Sequence, residues 1–220
     1  MKLVLIRHGQ TAANLSAALD TRLPGLPLTN LGQSQAQSLS ERFSKEVGER
    51  LDALTVSAMT RTRQTAAPLC TRYGVKPQVS AQIREVSAGD YEMSSSPVAI
   101  RVYVEACYAW MNANFAHRMP GAEDGYEFLG RVVPIIRDVM ERAYRSGGDE
   151  AVGGIVAHGG LIRVLSAVLS EDIRLGVSPT QFMSNTGMAV FEANIDEFRQ
   201  LRIGEVANLK ALSWDGHQLG

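Results

Sequence analysis

The sequence contains little cysteine: Cys70 and Cys107 are the two thiols among 220 residues. Two cysteines are too few for a disulfide framework, which favours reduced thiols and a cytoplasmic protein. Neither lies in a Cys-x-x-Cys spacing, and the four histidines form no cluster, so a zinc site is not indicated. We therefore expect no bound metal and no cofactor.

The chain also lacks a strong charge of one sign and any long apolar run. Its formal net charge of −1 gives no bulk attraction to nucleic acid or to an anionic membrane. No apolar stretch approaches the ~20 residues of a membrane span. The N-terminus has one lysine and then a strand-like run, so it does not resemble a secretory signal. We expect no nucleic-acid partner, no membrane partner and a cytoplasmic location.

What the sequence does have is a short, branched apolar run at 3–6 that ends abruptly in Arg7-His8-Gly9. Such a run is typical of a buried strand in a parallel sheet. A cation and an imidazole stand side by side where this strand ends, and the glycine lets the backbone turn. Ligands of open α/β sheets bind at these carboxyl ends, although an ordinary polar turn explains Arg7-His8-Gly9 equally well by itself.

The same kind of run recurs along the chain. Apolar residues make up 45% of the sequence, enough for one folded domain over residues 1–220. Strands are predicted at 3–6, 53–57, 153–157, 188–192 and 201–206, with a weak strand at 79–86. Helices are predicted at 30–50, 60–73, 98–115, 125–145 and 161–169. This alternation predicts a three-layer α/β/α sandwich with a mainly parallel sheet.

Several boundaries have a local physical cause. Thr29, Thr60 and Asp124 are expected to cap the helices that follow them, and Gly74 to end the second helix. The two helices between 94 and 146 have no strand between them, which suggests an inserted helical cap. We expect 12–28 to be a loop, the last two strands to be joined by a turn at 194–197, and the tail after 209 to be peripheral.

Four places put catalytic residue types at or just after predicted strand ends: Arg7-His8, Arg61, Glu85 and His158. In a parallel sheet these ends share one edge, so the four places can converge. Each also has an ordinary explanation. Arg61 could be a solvated helix residue no better than Arg63, Glu85 an ion-pair partner of the preceding arginine, and His158 a hydrogen-bonded core histidine. Together they favour a site.

These residue types suit phosphoryl transfer through a phosphohistidine. Arg7 and Arg61 carry planar guanidinium groups that match phosphate oxygens, and Asn14 adds a neutral donor. His158, if protonated, adds a third cation. His8 must attack as the neutral imidazole, which neighbouring guanidinium groups favour.

The other ring nitrogen of His8 should donate to a backbone carbonyl in the turn, which fixes the tautomer. The leaving alkoxide needs a proton. Glu85 can supply it if the phosphate dianion favours the protonated carboxyl, and can then act as a base on water. No metal is required where arginines stabilise the charge.

The stretch Leu-Val-Leu-Ile-Arg-His-Gly-Gln-Thr-Ala-Ala-Asn at 3–14 resembles the signature of the histidine phosphatase superfamily, which has the phosphoglycerate mutase-like fold. Four further motifs continue the resemblance in order to about residue 192. They are Pro27-Leu28-Thr29 with Gly32 and Gln35-Ala36, Ser57 with Arg61 and Gln64-Thr65-Ala66, Arg84-Glu85 with Gly89-Asp90-Tyr91-Glu92, and Ala157-His158-Gly159-Gly160 with Ile162-Arg163.

The resemblance implies roles for these residues. The phosphate-binding arginine of the second motif is Arg61 and not Arg63, and Glu85 is the proton donor. The implied catalytic residues are His8, Glu85, Arg7, Arg61 and His158. The substrate-binding residues inferred beside them are Asn14, Gln10, Thr11, Gly159 and, from a loop that aligns poorly, Arg22.

Three positions depart from the family pattern. Gly25-Leu26 stands where the family often has an aspartate before Pro-Leu-Thr, and Met93 replaces the usual glycine after Glu92. Pro120-Gly121-Ala122-Glu123-Asp124 resembles Pro-Gly-Gly-Glu-Ser with two substitutions. An aspartate caps a helix about as well as a serine, so we expect the structure there to survive.

The favoured function is a phosphatase for a small phosphomonoester. A phosphoglycerate mutase would use the same His8 but return the phosphoryl group, and Tyr91-Glu92 resembles the phosphatase members more closely. A non-catalytic relative that binds phosphorylated ligands is the alternative of another class. The core motifs do not identify the natural substrate, and a homodimer is left open.

Overall fold

The computed structural model describes residues 1–176 and 182–219 and contains one seven-stranded sheet. Its strand order is β3-β2-β4-β1-β5-β6-β7. The strands are β1 Lys2–Arg7, β2 Ala53–Ser57, β3 Gln78–Ser80, β4 Val152–Ala157, β5 Met188–Glu192, β6 Lys210–Trp214 and β7 His217–Gln218. The first four are mutually parallel where they pair, whereas β5, β6 and β7 pair antiparallel.

Helices cover both faces of this sheet, which confirms the predicted three-layer α/β/α architecture. The helices are α1 Ala12–Ser16, α2 Asn30–Glu46, α3 Thr60–Tyr73, α4 Pro97–Met111, α5 Gly125–Gly147, α6 Gly159–Leu169, α7 Glu171–Gly176 and α8 Ile195–Gln200. Helices α2 and α3 pack on the face that carries Val4 and Ile6, and α5 and α6 pack on the face that carries Leu3 and Leu5.

Strand β1 lies near the middle of the sheet and has helices on both sides. Its four central residues Leu3, Val4, Leu5 and Ile6 are completely buried, as their unbroken apolar character predicts. On one side β1 pairs in parallel with β4, and on the other it pairs antiparallel with β5. The end of β1 is therefore held in register by both neighbours.

The strand predicted at 188–192 is confirmed as β5, but the prediction for the residues that follow it is wrong. No strand forms at 201–206, and helix α8 stands where a turn was expected, started by a reciprocal capping box between Asn194 and Glu197. On the side away from β1, β5 pairs antiparallel with β6, which lies within the tail expected to be peripheral. Trp214 in β6 is 1% exposed, so the tail completes the core.

Other local predictions need smaller corrections. The expected loop at 12–28 contains helix α1, because Thr11 and Asn14 form a capping box across its first turn. Thr60 is the first helical residue and not the cap, and its hydroxyl donates to the Pro24 carbonyl. The segment 79–86 is a three-residue strand followed by a 3-10 turn at Ala81–Ile83.

The remaining helix and strand ends differ from the prediction by a few residues. Gly74 ends α3 at positive φ as expected, and Asp124 and Thr29 cap α5 and α2 as expected. Within the described residues, no helix combines the length and the apolar character needed to cross a membrane.

The two helices expected to form a cap occupy different places. Helix α4 packs on α6 and contributes to the wall of a cavity at the sheet edge. Helix α5 packs on β2 and β4, as its broad apolar stripe requires. Arg131 interrupts this stripe, and its buried guanidinium donates to the carbonyls of Gln82, Arg84 and Glu85 and to both oxygens of Glu123.

Candidate active site

A cavity of about 210 Å³ lies at the carboxyl ends of the parallel strands. His8 follows β1, and His158 follows β4 and occupies the position before the first residue of α6. The cavity is lined by Arg7, His8, Arg61 and Glu85 among others. The ring of His158 lies beside that of His8, with 5.4 Å between the ring centroids. The four places singled out in the sequence therefore do converge.

His8 is 4% exposed, and its side chain is fixed by the turn that follows β1. Nδ1 lies 2.7 Å from the Gly9 carbonyl oxygen, so it carries the proton and leaves Nε2 with a lone pair. Burial lowers the pKa of His8 well below its usual value, and the charges of Arg61 and Arg7 lower it further. The ring is therefore neutral, as a nucleophile must be, and burial contributes more than the expected guanidinium effect.

Gly9 permits this turn because nothing larger fits. A Cβ at this position would lie 2.6 Å from the Gly32 carbonyl oxygen in α2. The Gly9 N–H donates to the Thr65 hydroxyl of α3 at 3.0 Å. The end of β1 is thus packed directly against two helices, which holds the imidazole in place.

Two arginines, the half-buried Arg7 and the buried Arg61, supply the positive charge of the site. Arg7 donates through Nη1 to the Met183 carbonyl, and Arg61 is 2% exposed at the start of α3. Within the described residues, Nε of each arginine is buried without a hydrogen-bond partner. Buried N–H groups normally have partners, so these two donors point to an anion that the cavity can accept.

Asp20 is a residue of this site that the sequence did not reveal. Its carboxylate accepts from Arg61 Nη1 at 3.0 Å and from the Leu26 N–H at 2.8 Å, and its carbonyl accepts from Arg61 Nη2 at 2.9 Å. Gly25 makes room for this arginine, since a Cβ there would lie 2.5 Å from Nη1. Asp20 thereby offsets the charge of Arg61 and fixes the direction of its Nε.

His158 is completely buried and contacts the end of β2. Its Nε2 lies 2.9 Å from the Ser57 hydroxyl oxygen, while Nδ1 has no partner among the described residues. Burial, Arg61 and His8 all lower its pKa well below the usual value. His158 is therefore neutral in the free protein. It does not supply the third cation that was expected if its ring were protonated. An Nδ1–H donor is available when Nε2 accepts from Ser57.

Glu85 is held by backbone N–H groups and not by an arginine. Its carboxylate accepts from Val86 and Leu161 at 2.8 Å and from Gly160 at 3.0 Å. The last two donors belong to the first turn of α6, whose dipole favours an anion there. Arg84, the ordinary partner considered from the sequence, pairs with Glu123 instead.

The predicted substrate-binding residues divide into two groups. Asn14, Thr11 and Gly159 line the cavity. The Asn14 Oδ1 accepts from the backbone N–H of Thr11, which leaves its amide N–H groups as donors. Gln10 and Arg22 do not line the cavity: the Gln10 side chain accepts from Thr29, and the exposed Arg22 donates to the Gly89 carbonyl.

The chain is similar to known proteins in sequence and fold. The family model described as histidine phosphatase superfamily (branch 1) matches residues 3–206. The chain belongs to this superfamily. Glucosyl-3-phosphoglycerate phosphatase of Mycobacterium tuberculosis is 31% identical over 173 residues, which cover 76% of this chain and 74% of that protein.

Two further similarities are more limited: one covers part of the chain, and the other concerns the fold alone. The PE-PGRS family protein PE_PGRS11 of the same organism is 37% identical over 107 residues, 48% of this chain and 18% of that protein. A solved mycobacterial glucosyl-3-phosphoglycerate phosphatase in complex with VO3 has a TM-score of 0.74 at 24% identity, covering 97% of this chain and 98% of that chain. The latter confirms the fold expected for a histidine phosphatase.

Other residues of this histidine phosphatase site had weak sequence signals or none. Arg131 could have been found, because a cation inside the apolar stripe of a helix needs buried partners. Ser57 was noted only as part of a motif, without its contact to His158. Asp20 and Tyr103, which also line the cavity, had no signal because their partners lie far away along the chain.

The two buried neutral histidines make the stability of this histidine phosphatase pH-dependent. Unfolding exposes His8 and His158, whose pKa then returns to about 6.5, so below that pH the unfolded chain binds protons that the folded chain excludes. The free energy of unfolding should fall by about 3 kcal/mol between about pH 7.5 and about pH 5.5.

Urea titration at both pH values measures this loss. His8→Asn should reduce it by about half, whereas exposed His117→Asn should leave it unchanged. An equal free energy of unfolding at both pH values in the wild-type protein would contradict the buried neutral rings.

Proposed function

We propose that the protein is a phosphatase that hydrolyses a small phosphomonoester through a phosphohistidine on His8, without a metal. The observation that carries this proposal is the set of buried nitrogens around the His8 ring that have no partner among the described residues: Arg7 Nε, Arg61 Nε and His158 Nδ1. N–H groups at these three atoms can donate to the non-bridging oxygens of one phosphate group.

In the first step Nε2 of His8 attacks phosphorus. The N–P bond forms as the bond from phosphorus to the ester oxygen breaks, and Glu85 gives its proton to that oxygen. The carboxyl group acquires this proton as the phosphate dianion arrives beside it. The backbone donors on Glu85 keep the carboxyl group at the helix terminus, so it can face the ester oxygen throughout the step.

In the second step a water molecule attacks the phosphohistidine. The Glu85 carboxylate takes a proton from the water, the new O–P bond forms, and the N–P bond returns its electron pair to His8 Nε2. Inorganic phosphate leaves, and Glu85 again holds the proton needed for the next turnover. The neutral His158 serves as a donor that orients the oxygens through Nδ1–H, in the tautomer whose Nε2 accepts from the Ser57 hydroxyl.

The experiment is phosphate release from a panel of phosphomonoesters in the presence of EDTA. The panel contains an aryl phosphate, hexose phosphates, phosphoglycerate and a phosphopeptide. Release by the wild-type protein that His8→Ala lacks and His117→Ala retains supports the proposal. Release that EDTA abolishes contradicts the metal-independent reaction.

The two alternatives predict other outcomes. A phosphoglycerate mutase would exchange the isomers of phosphoglycerate while releasing little phosphate. A non-catalytic binding protein would give equal release from wild type and His8→Ala, at background level. Either result would overturn the phosphatase assignment.

A further inference from the structure

One face of helix α4 forms part of the cavity wall. Tyr103, Val104, Cys107, Tyr108 and Met111 line the cavity from this helix. These residues are separated by one, three or four positions along the chain, so they lie on the same side of the helix. The charged residues of α4 lie on its other side: the side chains of Arg101 and Glu105 are 66% and 61% exposed and pair with each other at 3.9 Å. The cavity wall is thus the uncharged face of α4.

The neighbouring walls of the cavity are also mostly uncharged. Ala13, Ala18 and Leu19 line the cavity from the segment around α1, and Phe182 and Met183 line it from the opposite side. Within the described residues, the one charged side chain beyond the phosphate end is that of Arg163. Its guanidinium lies over the ring of Phe182, 4.9 Å from the centroid.

Two aromatic side chains that line the cavity are largely exposed and are not part of the hydrophobic core. Phe182 is 64% exposed and Tyr108 is 48% exposed. Large side chains of this kind are expensive to leave in water, and together with the apolar wall they form one continuous surface. We call this surface of Val104, Cys107, Tyr108, Met111 and Phe182 the apolar subsite.

The polar groups that line the cavity from α4 and beside Phe182 are the hydroxyls of Tyr103 and Tyr108, the Cys107 thiol and the Arg163 guanidinium. Burial raises the pKa of Cys107, and burial and Glu85 raise the pKa of Tyr103 well above its usual value, so both groups are neutral. The Tyr103 hydroxyl lies beside Glu85: a Cβ on Gly160 would be 2.2 Å from that hydroxyl and 3.0 Å from Glu85 Oε1. A sugar hydroxyl placed against the apolar side chains of the subsite would lose water without gaining a partner from them.

We propose that the apolar subsite binds the alcohol portion of the substrate, so that the enzyme prefers aryl and apolar alkyl phosphomonoesters to sugar phosphates and phosphoglycerate. This inference rests on the proposed phosphatase function and specifies its substrate class. The phosphate group would occupy the end with Arg7 and Arg61, and the apolar group would lie between α4 and Phe182.

The test compares substrates that release alcohols of the same chemical kind. Benzyl phosphate, glycerol phosphate and a hexose phosphate esterified at its primary hydroxyl all release primary alkoxides, so the difference between them reports binding of the alcohol portion. Burial of the ring should raise kcat/KM for benzyl phosphate about 10- to 100-fold above the other two. A higher kcat/KM for either polyol ester would overturn the subsite.

A matched pair of variants on α4 locates the preference. Tyr108→Ser should lower kcat/KM for benzyl phosphate about tenfold and change that for glycerol phosphate less than about twofold. Val98→Ser removes a side chain that is 51% exposed on the same helix but does not line the cavity, and it should change neither. An equal loss on both substrates in Tyr108→Ser would contradict a role in recognising the alcohol.

A binding measurement separates failure of the subsite from failure of the function. Benzylphosphonate and methylphosphonate are not hydrolysed, and the first should raise the Tm of the wild-type protein more. If no ester is hydrolysed but benzylphosphonate still stabilises more, the phosphatase function is wrong and the subsite stands. If esters are hydrolysed with no preference and the two phosphonates stabilise equally, the subsite is overturned and the function stands.

Discussion

Substitution of His8 by asparagine is expected to remove phosphate release from every phosphomonoester, with a loss in kcat of at least about 10⁴-fold. The reason is the geometry of the ring: Nδ1 is engaged by the Gly9 carbonyl, so Nε2 is the nitrogen that faces the cavity with a lone pair. An asparagine amide has a similar polarity but no nucleophilic nitrogen. Steady-state phosphate release, measured on purified protein of verified fold, gives this number.

The same prediction can be tested directly by detecting the phosphohistidine intermediate on His8. Rapid quenching with alkali of wild-type protein and a substrate labelled in its phosphoryl group should trap label on His8 as an alkali-stable, acid-labile adduct. His8→Asn should carry no label, and His117→Asn, which changes an exposed histidine outside the cavity, should carry as much as wild type. Label on any other residue, or turnover that survives in His8→Asn, would show that His8 is not the nucleophile.

Substitution of Glu85 by glutamine is expected to separate the two chemical steps. Glutamine keeps one of the two oxygens that accept backbone N–H bonds, but it can neither give nor take the proton. An alkyl leaving group needs that proton, so kcat for benzyl phosphate should fall about 10²- to 10⁴-fold. Para-nitrophenolate leaves without a proton, so the first step with para-nitrophenyl phosphate should be much less affected.

Because Glu85 also activates the water, the variant should then stall as the phosphoenzyme. Stopped-flow absorbance should show a burst of one equivalent of para-nitrophenolate followed by slow turnover. Glu105→Gln, on the exposed side of α4, should behave as wild type. Equal losses on benzyl and para-nitrophenyl phosphate, with no burst, would remove Glu85 from the role of proton donor and leave it as a residue that only positions the site.

Local sequence signals predicted much of the fold because their causes are local. The unbroken apolar run at 3–6 implies burial on both sides, and that places His8 at the end of a central strand. The glycine at 74 and the aspartate at 124 mark helix ends through their own backbone and capping chemistry. The convergence of Arg61, Glu85 and His158 followed from one topological rule, namely that parallel strands end at one edge.

The parts that the sequence did not predict depend on distant partners. Asp20 meets Arg61 across 41 positions, and nothing around Asp20 indicates a partner. Strand β6 carries only five residues, and its burial is supplied by pairing with β5 and by packing of Trp214. Helix α8 replaced an expected turn because a capping box outweighed the weak strand pattern that follows it. These outcomes are set by tertiary packing, which overrides local propensity.

The buried Arg131 of helix α5 helps to position the carboxyl group of Glu85. Its guanidinium joins a helix that is packed on the sheet to the carbonyls of Gln82, Arg84 and Glu85. The position of Glu85, the proposed proton donor, is therefore set when the chain folds, and substrate binding does not have to supply it. The site is therefore preorganised before substrate binds. Slight loosening of the core around Arg131 would reduce turnover before the protein lost its fold.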